Sequence, residues 1–124
     1  MKIIIRFAVY QVEAKLYDTP TGRAVFESLP FTRNVSCWGD EIYFGIPVKV
    51  DLEAGAKAEV SPGDLAYWPN MPAFCIFFGA TPASSDDTPV AASPVNVFGK
   101  LTKVEVDKLR RIPEGTNVTV EKAG

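Results

Sequence analysis

Two short apolar segments near the middle of the chain are separated by a proline-rich turn. The segments are Asp64–Trp68 and Ala73–Phe78, and Pro69 and Pro72 lie between them. Because proline has no backbone N–H to donate to a sheet, the pattern predicts two separate strands joined by a rigid turn.

The second of these strands is apolar on both faces. Side chains alternate along a strand, so one face carries Ala73, Cys75 and Phe77, and the other carries Phe74, Ile76 and Phe78. A strand with two apolar faces must lie between two covered surfaces, as in a barrel wall that is overlaid by a helix. The remaining elements are expected to pack around it.

Strand and helix patterns alternate in the first quarter of the chain. Residues 2–10 and 12–17 are rich in β-branched and aromatic side chains, which predicts either one hairpin or one long bent strand. Thr19 is a suitable helix N-cap and Pro20 suits the first helical position, so a helix is predicted near residues 20–28. So short a helix needs a sheet to pack on.

The middle of the chain reads mostly as strands and loops. Residues 31–50 have a strand pattern, residues 51–56 form a polar link, and residues 58–60 are predicted to pair only briefly. Apart from Val90, residues 80–93 are all Pro, Ala, Ser, Asp or Thr with almost nothing to bury, which predicts one long, mobile loop.

The carboxy-terminal third predicts strand, helix and strand. Residues 96–101 form the first strand and residues 117–121 the last. Thr102 and Glu105 have the spacing of a capping box, which predicts a short helix near 103–111. Strands with two short helices, the last strand closing against the first, are typical of a closed eight-stranded antiparallel β-barrel with two capping helices.

Length and charge narrow the possible functions. The 124 residues are expected to form one domain, residues 1–124, and the net charge is −2 with a pI of about 5.1. No block of like charges is present, so neither nucleic acid nor an anionic membrane is an expected partner. The apolar runs are too short for a signal peptide or a membrane span, and the expected location is the cytoplasm.

The chain contains no histidine. This removes serine and cysteine nucleophiles activated by histidine, and histidine-based zinc sites. Carboxylates, lysines, tyrosines and backbone dipoles remain as catalytic options, but none of them forms a recognisable signature, so we predict no metal site, no cofactor and no specific catalytic residue. The two cysteines, Cys37 and Cys75, are expected to be buried thiols rather than a disulfide.

Several motifs resemble a known family. Residues 97–101, Val-Phe-Gly-Lys-Leu, followed by a short helix and a last strand, are similar to the carboxy-terminal part of cyclophilins. The Trp-Gly-Asp-Glu motif at 38–41 and the Phe-Gly-Ala-Thr-Pro motif at 78–82 resemble the compact prokaryotic cyclophilin-like family of uncharacterised function. This resemblance extends over nearly the whole chain and implies a cyclophilin-like barrel.

The resemblance to true cyclophilins does not extend to their catalytic groups. Those proteins are peptidyl-prolyl isomerases that rely on an arginine in a Phe-His-Arg strand. The corresponding strand here, Glu41 to Ile46, contains no arginine, and the Gln-Gly-Gly-Asp segment is also missing. Because a shared fold does not transfer a function whose site is absent, we do not expect isomerase activity.

The aromatic residues near the turns suggest a ligand-binding groove. An apolar floor with polar groups at its side is typical of such sites. Glu41 and Thr81 would orient the ligand, and Arg33 would meet Glu41 across a hairpin, either as a surface ion pair or as an anion anchor. The candidate ligand-binding residues are Arg33, Trp38, Glu41, Tyr43, Tyr67, Trp68, Phe78 and Thr81.

Two classes of function remain open at this point. The first, which we favour, is a non-catalytic binding module for a small molecule or an extended, proline-containing peptide. The second is an enzyme, either a divergent prolyl isomerase or a hydrolase that uses carboxylate chemistry. A third reading, based on resemblance of fold alone, is a subunit of a larger amide-hydrolysing enzyme. The sequence does not indicate an oligomeric state.

Overall fold

A computed structural model describes residues 1–124 and contains ten strands and two short helices. The fold is mostly β, as predicted. In chain order the elements are β1 (Lys2–Phe7), β2 (Gln11–Leu16), α1 (Pro20–Glu27), β3 (Phe31–Asn34), β4 (Ser36–Cys37), β5 (Glu41–Gly45), β6 (Lys57–Glu59), β7 (Asp64–Trp68), β8 (Ala73–Phe77), β9 (Val90–Leu101), α2 (Val106–Arg110) and β10 (Asn117–Lys122).

The strands form an antiparallel sheet in the order β3-β10-β1-β2-β9-β7-β8-β5-β4, and β6 pairs with β9. β1 and β2 form a hairpin, which is the first of the two predicted alternatives, and β10 pairs with β1, as predicted. β3 and β4 lie at opposite ends of this order, yet only Val35 separates them in the chain. With β3 and β4 taken as one bent strand, the path contains the eight strands of the predicted barrel.

Backbone hydrogen bonds do not close the barrel at this point. β3 pairs only with β10 and β4 only with β5, so the chain changes partners at Val35. Val35 is buried, and the rings of Phe31 on β3 and Phe44 on β5 meet edge to face across the gap, with centroids 6.2 Å apart. Side-chain packing and the covalent chain therefore join the two ends of the sheet.

Alternating side chains of the strands fill the barrel interior. The main core is a cluster of 25 buried residues to which most strands contribute. At its centre Phe74 stacks on Phe44 with centroids 4.8 Å apart and meets the edge of Phe98 at 5.1 Å. Offset and edge-to-face contacts of this kind add to the free energy of burial.

Both faces of β8 are covered, as its sequence predicts. Phe74 and Ile76 point into the main core, whereas Cys75 and Phe77 belong to a second buried cluster on the outside of the barrel wall. The prediction that a helix covers the outer face of β8 is wrong. Other members of the outer cluster are Val60, next to β6, and Ala91 and Val95 on β9, so strand segments provide the cover.

The first helix follows its sequence signals. The Thr19 side chain caps α1 by accepting a hydrogen bond from the Gly22 N–H at 3.0 Å, and Pro20 occupies the first turn. Burial of Thr21, Gly22 and Val25 anchors the helix on the sheet. Neither helix of the structure is long and apolar enough to cross a membrane.

The second helix is shorter than predicted. The predicted capping box is not formed. The Thr102 hydroxyl donates to the Glu13 carbonyl oxygen instead, and Glu105, which is the N-cap residue, makes no side-chain capping bond. α2 covers only Val106–Arg110.

The predicted loop over residues 80–93 is also shorter. β9 begins at Val90 rather than Asn96, because it pairs there with Glu59 of β6. In the remaining turn, the buried hydroxyl of Thr81 donates to the Val90 carbonyl oxygen.

Candidate functional site

A pocket of about 240 Å³ lies on the outer face of the barrel wall. It is bordered by β5, β7, β8 and the first half of β9. All but one of its lining residues are hydrophobic, and the exception is Glu41. The lining residues are Trp38, Glu41, Tyr43, Trp68, Cys75, Phe77, Ala91, Ala92 and Val95.

Strand register places these side chains on one face of the sheet. On β5 and β8, Glu41 is opposite Phe77 and Tyr43 is opposite Cys75. Trp68 on β7 is opposite Ala73 of β8. Directly opposite residues share a face, and residues two apart along a strand do as well. Period-two alternation on three adjacent strands therefore explains the part of the lining that β5, β8 and β7 contribute.

Glu41 is a buried carboxyl group without a cationic partner. It is only 6% exposed, and it takes part in none of the five ion pairs of the chain. Burial raises its pKa to about 7, and a hydrogen bond with Cys75 opposes part of that rise. Near neutral pH this group exists in both charged and uncharged forms.

Three half-buried aromatic side chains line the same pocket as the Glu41 carboxyl group. They are Trp38, Tyr43 and Trp68, and the two tryptophans are the only ones in the chain. The Trp68 indole N–H donates to the Ser93 hydroxyl at 2.6 Å, which fixes the orientation of that ring. The pocket therefore offers a ligand an aromatic surface and the carboxyl group of Glu41.

Both cysteines are free thiols, as predicted. Cys75 is buried, but Cys37 is only half-buried, which corrects the expectation that both are enclosed. Burial and then the neighbouring Glu41 carboxylate raise the pKa of the Cys75 thiol well above its usual range. Cys75 is therefore a protonated thiol and not an activated nucleophile. No group of three or more Cys, Asp and Glu side chains lies together as a metal site would need.

The Trp-Gly-Asp-Glu and Phe-Gly-Ala-Thr-Pro motifs pack against each other beside the pocket. The Asp40 N–H donates to the Ala80 carbonyl oxygen at 2.9 Å, and the Phe78 N–H donates to the Asp40 carbonyl oxygen at 3.0 Å. Gly39 has a φ of 61°, and a Cβ there would lie 2.9 Å from the Ala80 oxygen. Only glycine fits this turn without strain.

An ion pair secures the same turn from outside. Arg110 of α2 donates to both carboxylate oxygens of Asp40, with Nη2–Oδ2 at 2.8 Å and Nε–Oδ1 at 3.1 Å. These contacts hold the turn between Trp38 and Glu41, whose backbones are hydrogen bonded to each other. The motif residues thus position two pocket residues.

The structure brings half of the predicted site residues together. Trp38, Glu41, Tyr43 and Trp68 line the pocket. Arg33 does not meet Glu41: it forms no ion pair, and its guanidinium lies 5.2 Å from the centroid of the Phe31 ring.

The other three predicted site residues do not line the pocket. Tyr67 is fully buried in the barrel interior, where its hydroxyl donates to the Val48 carbonyl oxygen at 3.0 Å and accepts from the Val50 N–H at 3.2 Å. Phe78 belongs to the same interior core. Thr81 stabilises the turn before β9.

Several lining residues were not among the predicted site residues. Cys75 and Phe77 share a face by alternation, so their position beside Glu41 and Tyr43 could have been found by extending the pattern across strands. Ala91, Ala92 and Val95 fall within or next to the predicted loop. Their small side chains gave no signal of a pocket wall.

The comparisons with known proteins agree with this architecture. The family model described as Cyclophilin-like matches residues 1–121. The chain belongs to the Cyclophilin-like family. No curated protein matches this cyclophilin-like chain. Among solved structures, it is similar to the solution structure of a hypothetical protein from Archaeoglobus fulgidus. Identity is 39%, the TM-score is 0.81, and the match covers 99% of this chain and 95% of that one.

Proposed function

We propose that this cyclophilin-like protein is a binding module that holds a small molecule in the pocket on its outer barrel face. The supporting observation is the combination of an apolar, aromatic lining with one buried, unpaired carboxyl group. Pockets of this composition are typical of small-molecule sites, where apolar walls supply affinity and a few polar groups fix the orientation.

The size of the pocket limits the ligand. Its volume of about 240 Å³ lies just below the ~300–1,000 Å³ typical of sites for drug-sized molecules. A compact ligand fits such a volume, or one side chain of a peptide whose remainder lies outside. We favour the free small molecule because the lining comes from a compact patch of neighbouring strands rather than from an extended groove.

Prolyl isomerase activity is the less favoured alternative. A prolyl amide nitrogen that loses its conjugation needs a nearby hydrogen-bond donor or cation. The pocket lining contains no lysine or arginine, and Glu41 would supply negative charge instead. Absence of isomerase activity remains a prediction.

A ligand screen read by tryptophan fluorescence tests the proposal. Trp38 and Trp68 both line the pocket, so a ligand that enters should change the intrinsic emission. Compounds of both charges and neutral compounds are titrated, and binding is checked by NMR chemical-shift changes. We expect hits whose shifts centre on the lining residues.

A pair of variants separates pocket binding from binding elsewhere. Ala92 is exposed at the pocket rim, and Ala92→Phe should fill the pocket without disturbing the core. Ala8 is exposed in the β1–β2 turn, and Ala8→Phe is the matched control. Hits should be lost in the first variant and kept in the second. Hits that survive Ala92→Phe, or a broad screen without hits, would refute the proposal.

A further inference from the structure

We propose that the pocket selects small organic cations, with Glu41 as the counter-charge and Trp38, Tyr43 and Trp68 as the aromatic walls around an ammonium group. This inference rests on the proposed function and specifies the class of ligand. It follows from the charge and the lining of the pocket.

The first argument is the missing positive charge. A buried carboxylate is unfavourable unless a cation or several hydrogen bonds compensate it. Glu41 has only the Cys75 thiol as a side-chain hydrogen-bond partner, and no lysine or arginine lines the pocket. The nearby Arg110 is held by both oxygens of Asp40. A ligand cation would supply the compensation that the protein itself does not.

The second argument is the aromatic lining. Cations are attracted to the faces of tryptophan and tyrosine rings, most strongly where water is excluded. The pocket combines two tryptophans and a tyrosine with apolar walls formed by Phe77 and Val95. An anionic ligand would meet both the ring faces and the Glu41 carboxylate as repulsive groups. A neutral ligand would leave the carboxylate uncompensated.

Protonation of Glu41 couples the affinity to pH. A bound cation favours the charged carboxylate, so binding should release up to one proton. Around a pKa of about 7, the charged fraction rises about 30-fold between pH 5.5 and pH 8.5, and affinity should rise with it. The other titratable lining groups are Cys75 and Tyr43, and the Cys75 thiol stays protonated over this range. Neither member of the adjacent Asp40–Arg110 ion pair lines the pocket.

An isosteric pair of probes tests the sign of the ligand charge. Choline and 3,3-dimethylbutan-1-ol have the same shape and differ in a quaternary nitrogen against a quaternary carbon. Both are titrated by tryptophan fluorescence and NMR at pH 5.5, 7 and 8.5, with ethylammonium as a smaller cation. We expect choline or ethylammonium to bind at least tenfold more tightly than the alcohol at pH 8.5, and this preference to shrink at pH 5.5.

Two variants assign the effect to one carboxyl group. Glu41→Gln keeps the shape of the side chain and removes its charge, whereas Glu59→Gln removes an exposed charge on β6 outside the lining. Cation affinity should fall at least tenfold and lose its pH dependence in the first variant only. Circular dichroism and NMR spectra confirm that both variants are folded.

The outcomes distinguish the proposal that the pocket binds small molecules from the proposal that it selects cations. Equal affinity for choline and the alcohol, unchanged cation affinity in Glu41→Gln, or no binding of either cation would overturn the choice of cations. If neutral compounds still bound and Ala92→Phe abolished their binding, the small-molecule pocket itself would stand. If no compound of any charge bound in the pocket, both proposals would fall.

Discussion

The stability of the protein should depend on pH through Glu41, and Glu41→Gln exposes this dependence. In the unfolded chain the carboxyl group has the ordinary pKa of 4.5, whereas burial raises the pKa in the folded state to about 7. Between these values the folded state binds more protons than the unfolded state. Unfolding free energy therefore falls as pH rises through this window, and the loss is complete above pH 7.

The magnitude follows from the size of the shift. A difference of about 2.5 pKa units corresponds to about 3 kcal/mol at 1.36 kcal/mol per unit. Little discount for solvent screening applies because the residue is only 6% exposed. Glu41→Gln should therefore be about 2–3 kcal/mol more stable than the natural protein at pH 8, and the two should be nearly equal at pH 4.

Urea titrations at half-unit steps from pH 4 to pH 8.5 measure this difference. The exposed residue Glu59 provides the control, because Glu59→Gln should follow the natural protein at every pH to within about 0.5 kcal/mol. At each pH, the unfolding free energy of the variant is subtracted from that of the natural protein, which cancels the contributions of all other titrating groups. The burial argument would be refuted if the difference in unfolding free energy between Glu41→Gln and the natural protein did not change with pH. It would also be refuted if the natural protein became the more stable of the two as pH rises.

Four further outcomes are expected. Phe77→Ala should lower the unfolding free energy by about 3–5 kcal/mol in urea titration, because its ring is fully buried in the outer cluster; a change near zero would contradict that burial. Gly39→Ala should cost about 1–3 kcal/mol from its positive φ and the close Ala80 oxygen, while Gly55→Ala, with nothing within 4 Å, should cost under about 1 kcal/mol; equal melting temperatures would refute the strain. Tyr67→Phe should cost about 1–3 kcal/mol, since it leaves the Val48 and Val50 backbone groups without their buried partner. Finally, the purified protein should not accelerate prolyl isomerisation in a peptide assay beside a true cyclophilin; clear catalysis that disappeared in Arg33→Ala would oblige us to abandon the binding-module proposal.

The period-two pattern predicted β8 and its two apolar faces correctly. The same alternation was not applied when the candidate site residues were chosen. Tyr67 and Trp68 are consecutive on β7, and consecutive residues of a strand point to opposite faces. On this strand they face opposite sides of the barrel wall, and the structure places Tyr67 inside the barrel and Trp68 outside. Phe77 and Phe78 differ in the same way, with Phe77 at the pocket and Phe78 in the core.

The shortened loop before β9 is a feature that the local sequence pattern did not predict. Val90 to Ser93 has a loop-like composition, and no local rule marks it as a strand. It becomes part of β9 because Glu59, 31 positions earlier, pairs with Val90. A strand that depends on a distant partner leaves little trace in its own composition. For the same reason the sequence did not indicate that Ala91 and Val95 form a pocket wall.

The sequence by itself determined the local features of this protein. These include the Thr19-capped helix, the two-faced strand β8 and the family motifs that brace the turn at Gly39. Each depends on backbone geometry and side-chain alternation over a few residues. Only the tertiary structure decided that β5, β8 and β7 are neighbours, and therefore that Glu41 and Trp68 face the same pocket while Arg33 lies elsewhere. Strand order is set by packing between segments far apart in the chain, which no local pattern encodes.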